Sequence, residues 1–321
     1  MGGVSVNYKY IIWSPPYHES GGGAIALHRL CHLINQCGRE AYLYPEVPSF
    51  DLHLHNAAQV GVYLKEIYEA TNLANYRING EFRTPVLPPN ENFVPAHDCI
   101  VIYPEVTFGN PLRAKNVVRW LLHHPGYHSG KVYYGSGEIY YKYADYFAGG
   151  FTFPGSEIAD VVLRIQYTPC DLYRERDEER KPERRGTAYC IKKGKGRAMV
   201  HDTDHSILID GKSHQEIAAI FKSVKQFVSY DAHTLYSSLA AISGCESVVV
   251  PLEGVTKEQW RPSVEDRYGI ADGFDDVEFA LTTRHLALER QMALDRDSER
   301  NARAFLADIE SRLRKRSGIA T

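Results

Sequence analysis

The sequence predicts an α/β protein made of two successive units, each with its own parallel sheet covered by helices. The chain has 321 residues, which exceeds the usual size of one domain and suits two compact units. Short apolar runs alternate with amphipathic segments in both halves, a pattern typical of strand–helix–strand units. Between the halves lies the charged stretch 174–186, which has almost no apolar residue and suits an exposed linker.

The first half opens with a strand, a glycine-rich turn, a helix and a second strand. The apolar run 10–13 predicts a buried strand, and apolar residues at helical spacing over 24–37 predict a helix that Gly38 caps. The segment 46–97 is rich in Pro and Asn, and we expect it to be connection and insertion with one helix around 60–70. Further strands are predicted at 40–45, 99–103, 117–122 and 151–154.

The second half repeats this alternation and ends in a long helix. Ser213 and Glu216 have the capping-box spacing that starts a helix. Strands are predicted at 187–191, 206–209, 227–229 and 247–251, and helices at 213–224, 234–242 and about 282–316. We therefore expect one domain over 1–170, a second over 187–281 and a terminal helix over 282–321.

Composition excludes several classes of protein. The net charge of −3 gives no overall basic field, so we expect no nucleic-acid partner. The six cysteines include no CxxC pair and most lie in apolar runs, which favours buried reduced thiols. No apolar run is long enough to span a membrane and no leader pattern opens the chain, so we expect a cytoplasmic protein.

The basic end of the chain has two interpretations. The run 312–316, RLRKR, lies on a helical pattern, where cations interact favourably with the C-terminal end of the helix dipole. The same cations would also attract anionic lipid headgroups and give weak peripheral contact with the inner face of a membrane. The solvated helix end is the favoured interpretation.

Glycines follow the first predicted strand, at the start of the first helix. Gly21, Gly22 and Gly23 let a ligand approach the backbone, and N–H groups at a helix start favour phosphate. His18 and Glu19 lie beside them and are candidates for a catalytic base and the residue that orients it. No GxGxxG fingerprint is present, and a tight strand-to-helix turn is the structural alternative.

A basic turn follows the first strand of the second half. The run 192–197, KKGKGR, holds four cations and two glycines. Lys193 and Lys195 are candidates for binding a diphosphate, whose charge must be stabilised as its bond to a sugar breaks. A solvated basic turn is the alternative.

The loop after the strand at 227–229 carries polar residues at the start of a helix. Tyr230, Asp231, Thr234, Tyr236 and Ser237 are the candidates here, and Asp231 would accept a hydrogen bond from a sugar or ribose hydroxyl. Thr234 has a second interpretation as a helix cap. Ligands of open parallel sheets bind beyond the carboxyl ends of the strands, so we expect this loop and the basic turn to converge.

Two histidine-containing segments complete the candidates. His123 and His124 follow a predicted strand and suit the acceptor side of a transfer reaction, with a structural loop as the alternative. Asp202 and Asp204 form an Asp-x-Asp triplet of the kind that binds Mn or Mg. Because the triplet lies in a polar loop inside a strand–helix series, we expect no bound metal.

These residues resemble GT-B glycosyltransferases, particularly those of bacterial surface polysaccharide synthesis. The segment 227–251, FVSYDAHTLYSSLAAISGCESVVVP, is similar to the donor-binding strand–helix–strand of that family. The segment HESGGGAIALHRL is similar to the loop of the first domain that approaches the donor phosphates. The KKGKG turn matches the place of phosphate-binding cations, and the resemblance covers both halves in order.

The resemblance implies two Rossmann-like domains facing across a cleft, with the terminal helix crossing back to the first. It implies an acceptor-binding first domain, a donor-binding second domain and no need for a metal. Closure of the cleft would exclude water and position the acceptor hydroxyl. The implied activity is transfer of a sugar from a nucleotide-sugar to a glycan or lipid-linked acceptor, with the oligomeric state left open.

The chain departs from the family pattern at one position. Many retaining members carry two Glu separated by seven residues in this segment. Alignment on Gly244 places Asp231 at the first and Leu239 at the second, while Glu246 comes only after the helix. The carboxylate that usually holds the ribose is therefore missing. A sugar-nucleotide epimerase or hydrolase on the same scaffold, or a non-catalytic nucleotide- or sugar-binding partner, remain alternatives.

Overall fold

The computed structural model of the chain divides into two compact units. It describes residues 7–19, 21–47, 58, 60–62, 65, 72–88, 93–144, 147, 154–174 and 183–318. Residues 1–167 and 296–321 form the first unit, and residues 168–295 form the second. The helix expected around 60–70 and the strand expected at 151–154 lie largely outside the described residues.

The first unit contains a six-stranded parallel sheet. Its elements in chain order are β1 (Lys9–Ser14), α1 (Gly22–Gln36), β2 (Glu40–Pro45), β3 (Cys99–Pro104), β4 (Asn116–Leu121), β5 (Ile139–Lys142) and β6 (Glu157–Val162). The strands are arranged in the order β2-β1-β3-β4-β5-β6, and every pair is parallel. Gly38 has a φ of 75°, the left-handed conformation expected just after a helix.

Apolar side chains cover both faces of this sheet, as parallel sheets require. On one face Tyr10, Ile12 and Ile102 pack with the buried face of α1 and with Phe305 and Ile309. On the other face a second cluster contains Ile11, Trp13, Tyr44, Val101 and Tyr103. Because successive residues of β1 contribute to opposite clusters, the strand carries a continuous apolar run.

The second unit contains a five-stranded parallel sheet in the order β11-β10-β9-β7-β8. Its strands are β7 (Thr187–Cys190), β8 (Ser206–Leu208), β9 (Gln226–Ser229), β10 (Glu246–Val249) and β11 (Ile270–Asp272). Its helices are α2 (Cys170–Tyr173), α3 (His214–Ser223), α4 (Tyr236–Ile242), α5 (Lys257–Trp260) and α6 (Val277–Thr283). The capping box of Ser213 and Glu216 is confirmed at the start of α3.

The terminal helix α7 (Ala287–Arg316) begins in the second unit and ends in the first. Within the first unit the Tyr10 hydroxyl donates to Glu310 at 3.0 Å and the Tyr141 hydroxyl donates to Asp308 at 2.6 Å. The expected return of the terminal helix to the first unit is confirmed, as is the α/β class with two parallel sheets. The helix was expected from about 282, but a 3₁₀ turn over Arg284–Leu286 separates α6 from α7.

The basic end of α7 is held within the first unit. Arg312 and Arg316 both form ion pairs with Glu157, at 3.0 and 2.7 Å, and Arg314 pairs with Glu310 at 3.3 Å. These pairs occupy most of the charge that the lipid-contact interpretation required. Within the described part of the chain, no helix is both long and apolar enough to cross a membrane.

The charged stretch 174–186 is only partly the exposed linker that the sequence predicts. Residues 175–182 lie outside the described residues. Arg184 is anchored to the second unit, because it donates to the carbonyl oxygens of Phe221 at 2.6 Å and of Val224 at 3.3 Å. Its guanidinium therefore satisfies the end of α3, a contact that composition alone does not reveal.

Candidate functional site

In the second unit, the basic turn packs directly against the loop after β9. A Cβ placed on Gly194 would lie 2.2 Å from the Tyr230 carbonyl oxygen, which is closer than any real contact. Only glycine therefore permits this approach of two backbones. The basic turn and the loop after β9 therefore lie together at the carboxyl edge of β7 and β9, as strand order predicts. Lys193 and Lys195 are exposed there.

Arg197 fastens the basic turn rather than adding a free cation to it. It donates to the carbonyl oxygens of Tyr230 at 2.7 Å and of Val250 at 3.0 Å, and also to that of Pro251. These carbonyls follow β9 and β10, so one guanidinium ties three strand-end loops together. Three of its hydrogen bonds are therefore used within the fold.

Lys192 is also engaged within the unit. Its ammonium lies 4.0 Å from the centre of the Tyr236 ring, a cation–π contact. Tyr236 is buried at the first turn of α4. Tyr236, predicted to bind the nucleotide-sugar donor, therefore contacts the Lys192 ammonium instead. Lys193 and Lys195 are the exposed lysines of the turn.

The other candidates of the β9 loop make local contacts. The Asp231 carboxylate accepts the N–H of His233 at 3.1 Å, and the Thr234 hydroxyl accepts the N–H of Tyr236 at 3.3 Å. The Tyr230 hydroxyl accepts the Val200 N–H at 2.8 Å. These bonds give the loop its conformation. Thr234 is not the cap of α4, because the capping position is Leu235 and no side chain caps the helix.

Ser237 is fully buried, and its hydroxyl oxygen has no hydrogen-bond partner among the described residues. Leu239, at the position of the missing carboxylate, is also fully buried. Glu246 begins β10 and pairs with Lys225 at 3.4 Å, so it lies at the amino edge of the sheet, away from the basic turn. Glu246 therefore does not replace the missing carboxylate.

Sequence reasoning missed Arg261, which the fold brings to the same loops. Arg261 follows α5, its guanidinium lies 4.6 Å from the centre of the Trp260 ring, and it donates to the Asp266 carbonyl at 2.6 Å. Burial lowers the pKa of Arg261. The Asp266 carboxylate acts in the opposite direction and raises this pKa. Arg261 is only partly exposed, so its charge is less screened by water than that of a surface arginine.

Arg261 and Lys193 both act on His233, in the loop after β9. Burial lowers the pKa of His233, and the positive charges of Arg261 and Lys193 lower it further, against the opposing effect of Asp231. Two cations from the loops after β7 and β10 therefore lie near one imidazole from the loop after β9. The arrangement is an electropositive site at the carboxyl edge of the second sheet, suited to an anion such as a diphosphate.

The Asp-x-Asp segment forms a self-contained exposed turn. Asp202 accepts the N–H of Asp204 at 3.0 Å and contacts His205 Nδ1 at 2.7 Å. The neighbouring His201 Nδ1 lies 2.7 Å from the Tyr230 hydroxyl. In the described ranges, no group of three or more His, Cys, Asp or Glu side chains could hold a metal ion.

In the first unit, the three glycines lie at the start of α1. Gly21 precedes the helix, no side chain caps it, and its N–H donates to the His18 carbonyl at 2.9 Å. Gly22 and Gly23 form the first turn, where a Cβ on Gly22 would meet nothing within 4 Å. His18 and Glu19 are exposed before this turn, at the carboxyl edge of β1. Among the described residues, no atom therefore fills the space beside Gly22.

Glu105 joins the other candidates of the first unit, and sequence reasoning missed it as well. It follows β3, is 4% exposed, and accepts the Leu122 N–H at 3.1 Å. Leu122 also approaches the glycine turn, because a Cβ on Gly23 would lie 3.7 Å from it. Burial raises the pKa of Glu105 to about 7, against the opposing effect of N–H groups that include those of Leu122 and His123.

The predicted acceptor-side histidines lie in an aromatic cluster. The His123 ring lies 4.0 Å from the Tyr127 ring and 5.1 Å from the Phe147 ring, between ring centres. The His124 N–H donates to His123 Nδ1 at 2.8 Å, which places the proton of the neutral ring on Nε2. His123 is therefore suited to donate a hydrogen bond through Nε2 rather than to remove a proton.

A buried ion pair connects the loop after β3 with the segment that leads into β5. Arg119 and Glu138 are 0% and 2% exposed and lie 2.8 Å apart. Arg119 also donates to the carbonyls of Thr107 at 2.7 Å and Gly109 at 2.6 Å. The Tyr134 ring lies 4.6 Å from the same guanidinium, and its hydroxyl donates to the Glu105 carbonyl at 2.7 Å. This network fixes the backbone that carries Glu105.

Comparison with solved structures finds glycosyltransferases among the structures that the chain resembles. The glycosyltransferase SnogD from Streptomyces nogalater has 12% identity and a TM-score of 0.38, over 94% of this chain and 99% of that one. An O-GlcNAc transferase mutant from Thermobaculum terrenum has 11% identity and a TM-score of 0.43, over 97% of this chain and 68% of that one. UGT89C1 from Arabidopsis thaliana, complexed with quercetin, has 9% identity and a TM-score of 0.34, over 94% and 99%.

No protein-family model matches the chain, and no curated protein matches its sequence. At the identities and TM-scores of the solved structures, the function of the chain has to be inferred from its own residues. Those residues define an α/β protein with an electropositive site at the carboxyl edge of its second sheet.

Proposed function

We propose that the chain is a glycosyltransferase that moves a sugar from a nucleotide-sugar to a glycan or lipid-linked acceptor, in surface polysaccharide synthesis and without a metal. One observation carries the proposal: two cationic loops pack against the loop after β9. Lys193 lies in the turn whose Gly194 packs on Tyr230, and Arg261 follows Trp260, whose indole N–H donates to the Ala232 carbonyl at 2.7 Å. A nucleoside diphosphate is an anion that suits such a site, because Lys and Arg form charge-assisted hydrogen bonds with phosphate.

The chemistry of transfer needs positive charge where the diphosphate leaves. As the bond between the anomeric carbon and the diphosphate breaks, negative charge grows on the leaving oxygen, and Lys193 and Arg261 stabilise it. His233 lies in the loop after β9 and donates a ring N–H to the departing group. Lys195 adds charge at the exposed rim, and Asp231 with Thr234 holds the loop.

The acceptor is assigned to the first unit. His18 or Glu19 removes the proton of the attacking hydroxyl, while the open helix start at Gly21, Gly22 and Gly23 stabilises the donor phosphates. His123 and His124 bind the acceptor, His123 through its Nε2 proton.

Calorimetric titration with UDP, GDP, dTDP and CMP compounds tests the proposal. We expect one nucleotide class to bind, and Lys193→Ala and Arg261→Ala to weaken its binding about tenfold, as expected for loss of a charge-assisted hydrogen bond. Lys222→Ala is the matched control, because Lys222 lies in the last turn of α3, which runs back from the carboxyl edge of the sheet. Folded protein that binds none of the nucleotides would overturn the proposal.

A non-catalytic binding role is the second candidate, and the buried Leu239 favours it. Where retaining members of the resembled family carry a carboxylate, this chain has an apolar side chain in its core. Turnover separates the two functions: a binding partner holds the nucleotide-sugar unchanged, whereas a transferase consumes it when acceptor is added. An epimerase or hydrolase would change the donor without any acceptor.

A further inference from the structure

The basic turn contains a lysine in a backbone conformation that lysine rarely adopts. Lys192 has a φ of 39°, in the left-handed region. For a residue with a Cβ, this conformation is unfavourable and persists only where surrounding contacts impose it. The turn is closed by the Gly194 N–H, which donates to the Ile191 carbonyl at 2.7 Å. Something outside the turn must therefore hold Lys192 in place.

The Asp210 carboxylate supplies that contact. A single oxygen, Oδ2, accepts the N–H of Ile191 at 3.1 Å and of Lys192 at 2.8 Å. Asp210 lies just beyond β8, and the neighbouring Ile209 N–H donates to the Tyr189 carbonyl at 2.9 Å, which continues the pairing of β8 with β7. The position of the carboxylate is thus fixed by the sheet. Two consecutive amide N–H groups are oriented toward one of its oxygens.

The far side of the turn is fixed independently. Gly194 lies so close to the Tyr230 carbonyl that no side chain would fit between them. Arg197 donates a hydrogen bond to the same carbonyl at 2.7 Å. Lys193 lies between the two fixed points, Lys192 on one side and Gly194 on the other. Its backbone has no freedom to move without breaking one of these contacts.

A carboxylate beside an anion site needs an explanation, because its charge opposes binding of a phosphate. Asp210 lies beside the basic turn, because its Oδ2 accepts the N–H groups of Ile191 and Lys192. The two amide hydrogen bonds explain its presence. The carboxylate weakens phosphate binding electrostatically, but it fixes the backbone of the turn. Asn would accept the same bonds without the charge.

We propose that Asp210 is the positioning residue of the diphosphate site: it holds the strained turn at Lys192 and thereby sets the place of Lys193. The inference rests on the proposed function, because it concerns the same site. Asp210 does not touch the diphosphate. It acts through the backbone of the turn, so its effect is on how well the cations are placed before ligand arrives.

The test compares Asp210→Ala with Asp210→Asn, using UDP, GDP, dTDP and inorganic pyrophosphate as probes. Asp210→Ala should weaken binding about tenfold, whereas Asp210→Asn should bind within about threefold of wild type, because its amide oxygen still accepts both N–H groups. Asp202→Ala is the control: Asp202 also accepts a backbone N–H, at 3.0 Å, but in the separate exposed turn. If Asp210→Asn loses as much affinity as Asp210→Ala, the charge and not the positioning matters, and the inference falls.

Hydrogen exchange followed by mass spectrometry gives a readout that needs no nucleotide. In Asp210→Ala, the amides of Ile191 and Lys192 should exchange faster, while peptides from the first unit stay unchanged. Unchanged protection at Ile191 and Lys192 would overturn the inference even if nucleotides bind. Wild-type protein that binds no probe would overturn the proposed function instead.

Discussion

Gly194→Ala tests the contact that brings the predicted site together. The added Cβ would lie 2.2 Å from the Tyr230 carbonyl oxygen and 2.5 Å from its carbonyl carbon. Ordinary contact begins near 3.4 Å, so the turn must retreat by roughly 1 Å, and overpacking of this kind costs about 1–3 kcal/mol. A displacement of that size also moves Lys193, so we expect nucleotide affinity to fall about tenfold or more.

Urea unfolding measures the stability cost of Gly194→Ala, and calorimetry with the best nucleotide measures the affinity. Two glycines of the chain serve as controls. Gly80→Ala meets nothing within 4 Å and needs no left-handed φ, so it should be neutral. Gly196→Ala also meets nothing but has a φ of 86°, so it should show backbone strain without a clash. If Gly194→Ala behaves like Gly80→Ala in both assays, the close contact between the backbones of Gly194 and Tyr230 is refuted.

Three further predictions concern the buried charges and the metal. Arg119→Met should lower the free energy of unfolding by about 3–5 kcal/mol in urea melts, because it leaves Glu138 charged and unpaired. Adding Glu138→Gln should restore part of the lost stability. An unchanged urea melt would refute the buried ion pair. Burial raises the pKa of Glu105 from 4.5 to about 7, so the folded chain binds the extra proton and loses stability as pH rises through that window. Relative to wild type, Glu105→Gln should therefore gain stability from pH 4.5 to 7, and a constant difference would refute the assignment. EDTA should leave nucleotide affinity unchanged, because Lys193 and Arg261 supply the charge; a loss that Mn or Mg reverses would refute this.

The alternation of apolar runs predicts most of the buried strands, but it missed β5 and β11, which have only four and three residues. All six residues of β3 are buried, so the continuous run 99–103 is sufficient to locate it. β6 was not predicted, because it is an edge strand with exposed Glu157, Ile158 and Asp160 and a register shift against β5. An edge strand lacks the apolar run that marks a buried one.

Strand order predicts which loops meet, but not which of their side chains remain available. The convergence of the basic turn with the β9 loop follows from parallel topology. Arg197 is different, because its partners lie 33 to 54 residues away and nothing local shows that its donors are used. Arg261 and Glu105 are single charged residues without a motif, and only burial in the folded chain distinguishes them.

Acceptor-dependent transfer is the measurement that tests the central claim most directly. The purified chain is incubated with UDP-, GDP-, dTDP- and CMP-sugars, with and without cell-derived glycan or lipid-linked acceptor, and mass spectrometry follows nucleotide and acceptor together. We expect one donor class to release its nucleotide and the acceptor to gain the mass of one sugar, with the reaction slowed in Lys193→Ala and Arg261→Ala. Conversion of the donor without acceptor, or folded protein that leaves every donor intact, would contradict the account.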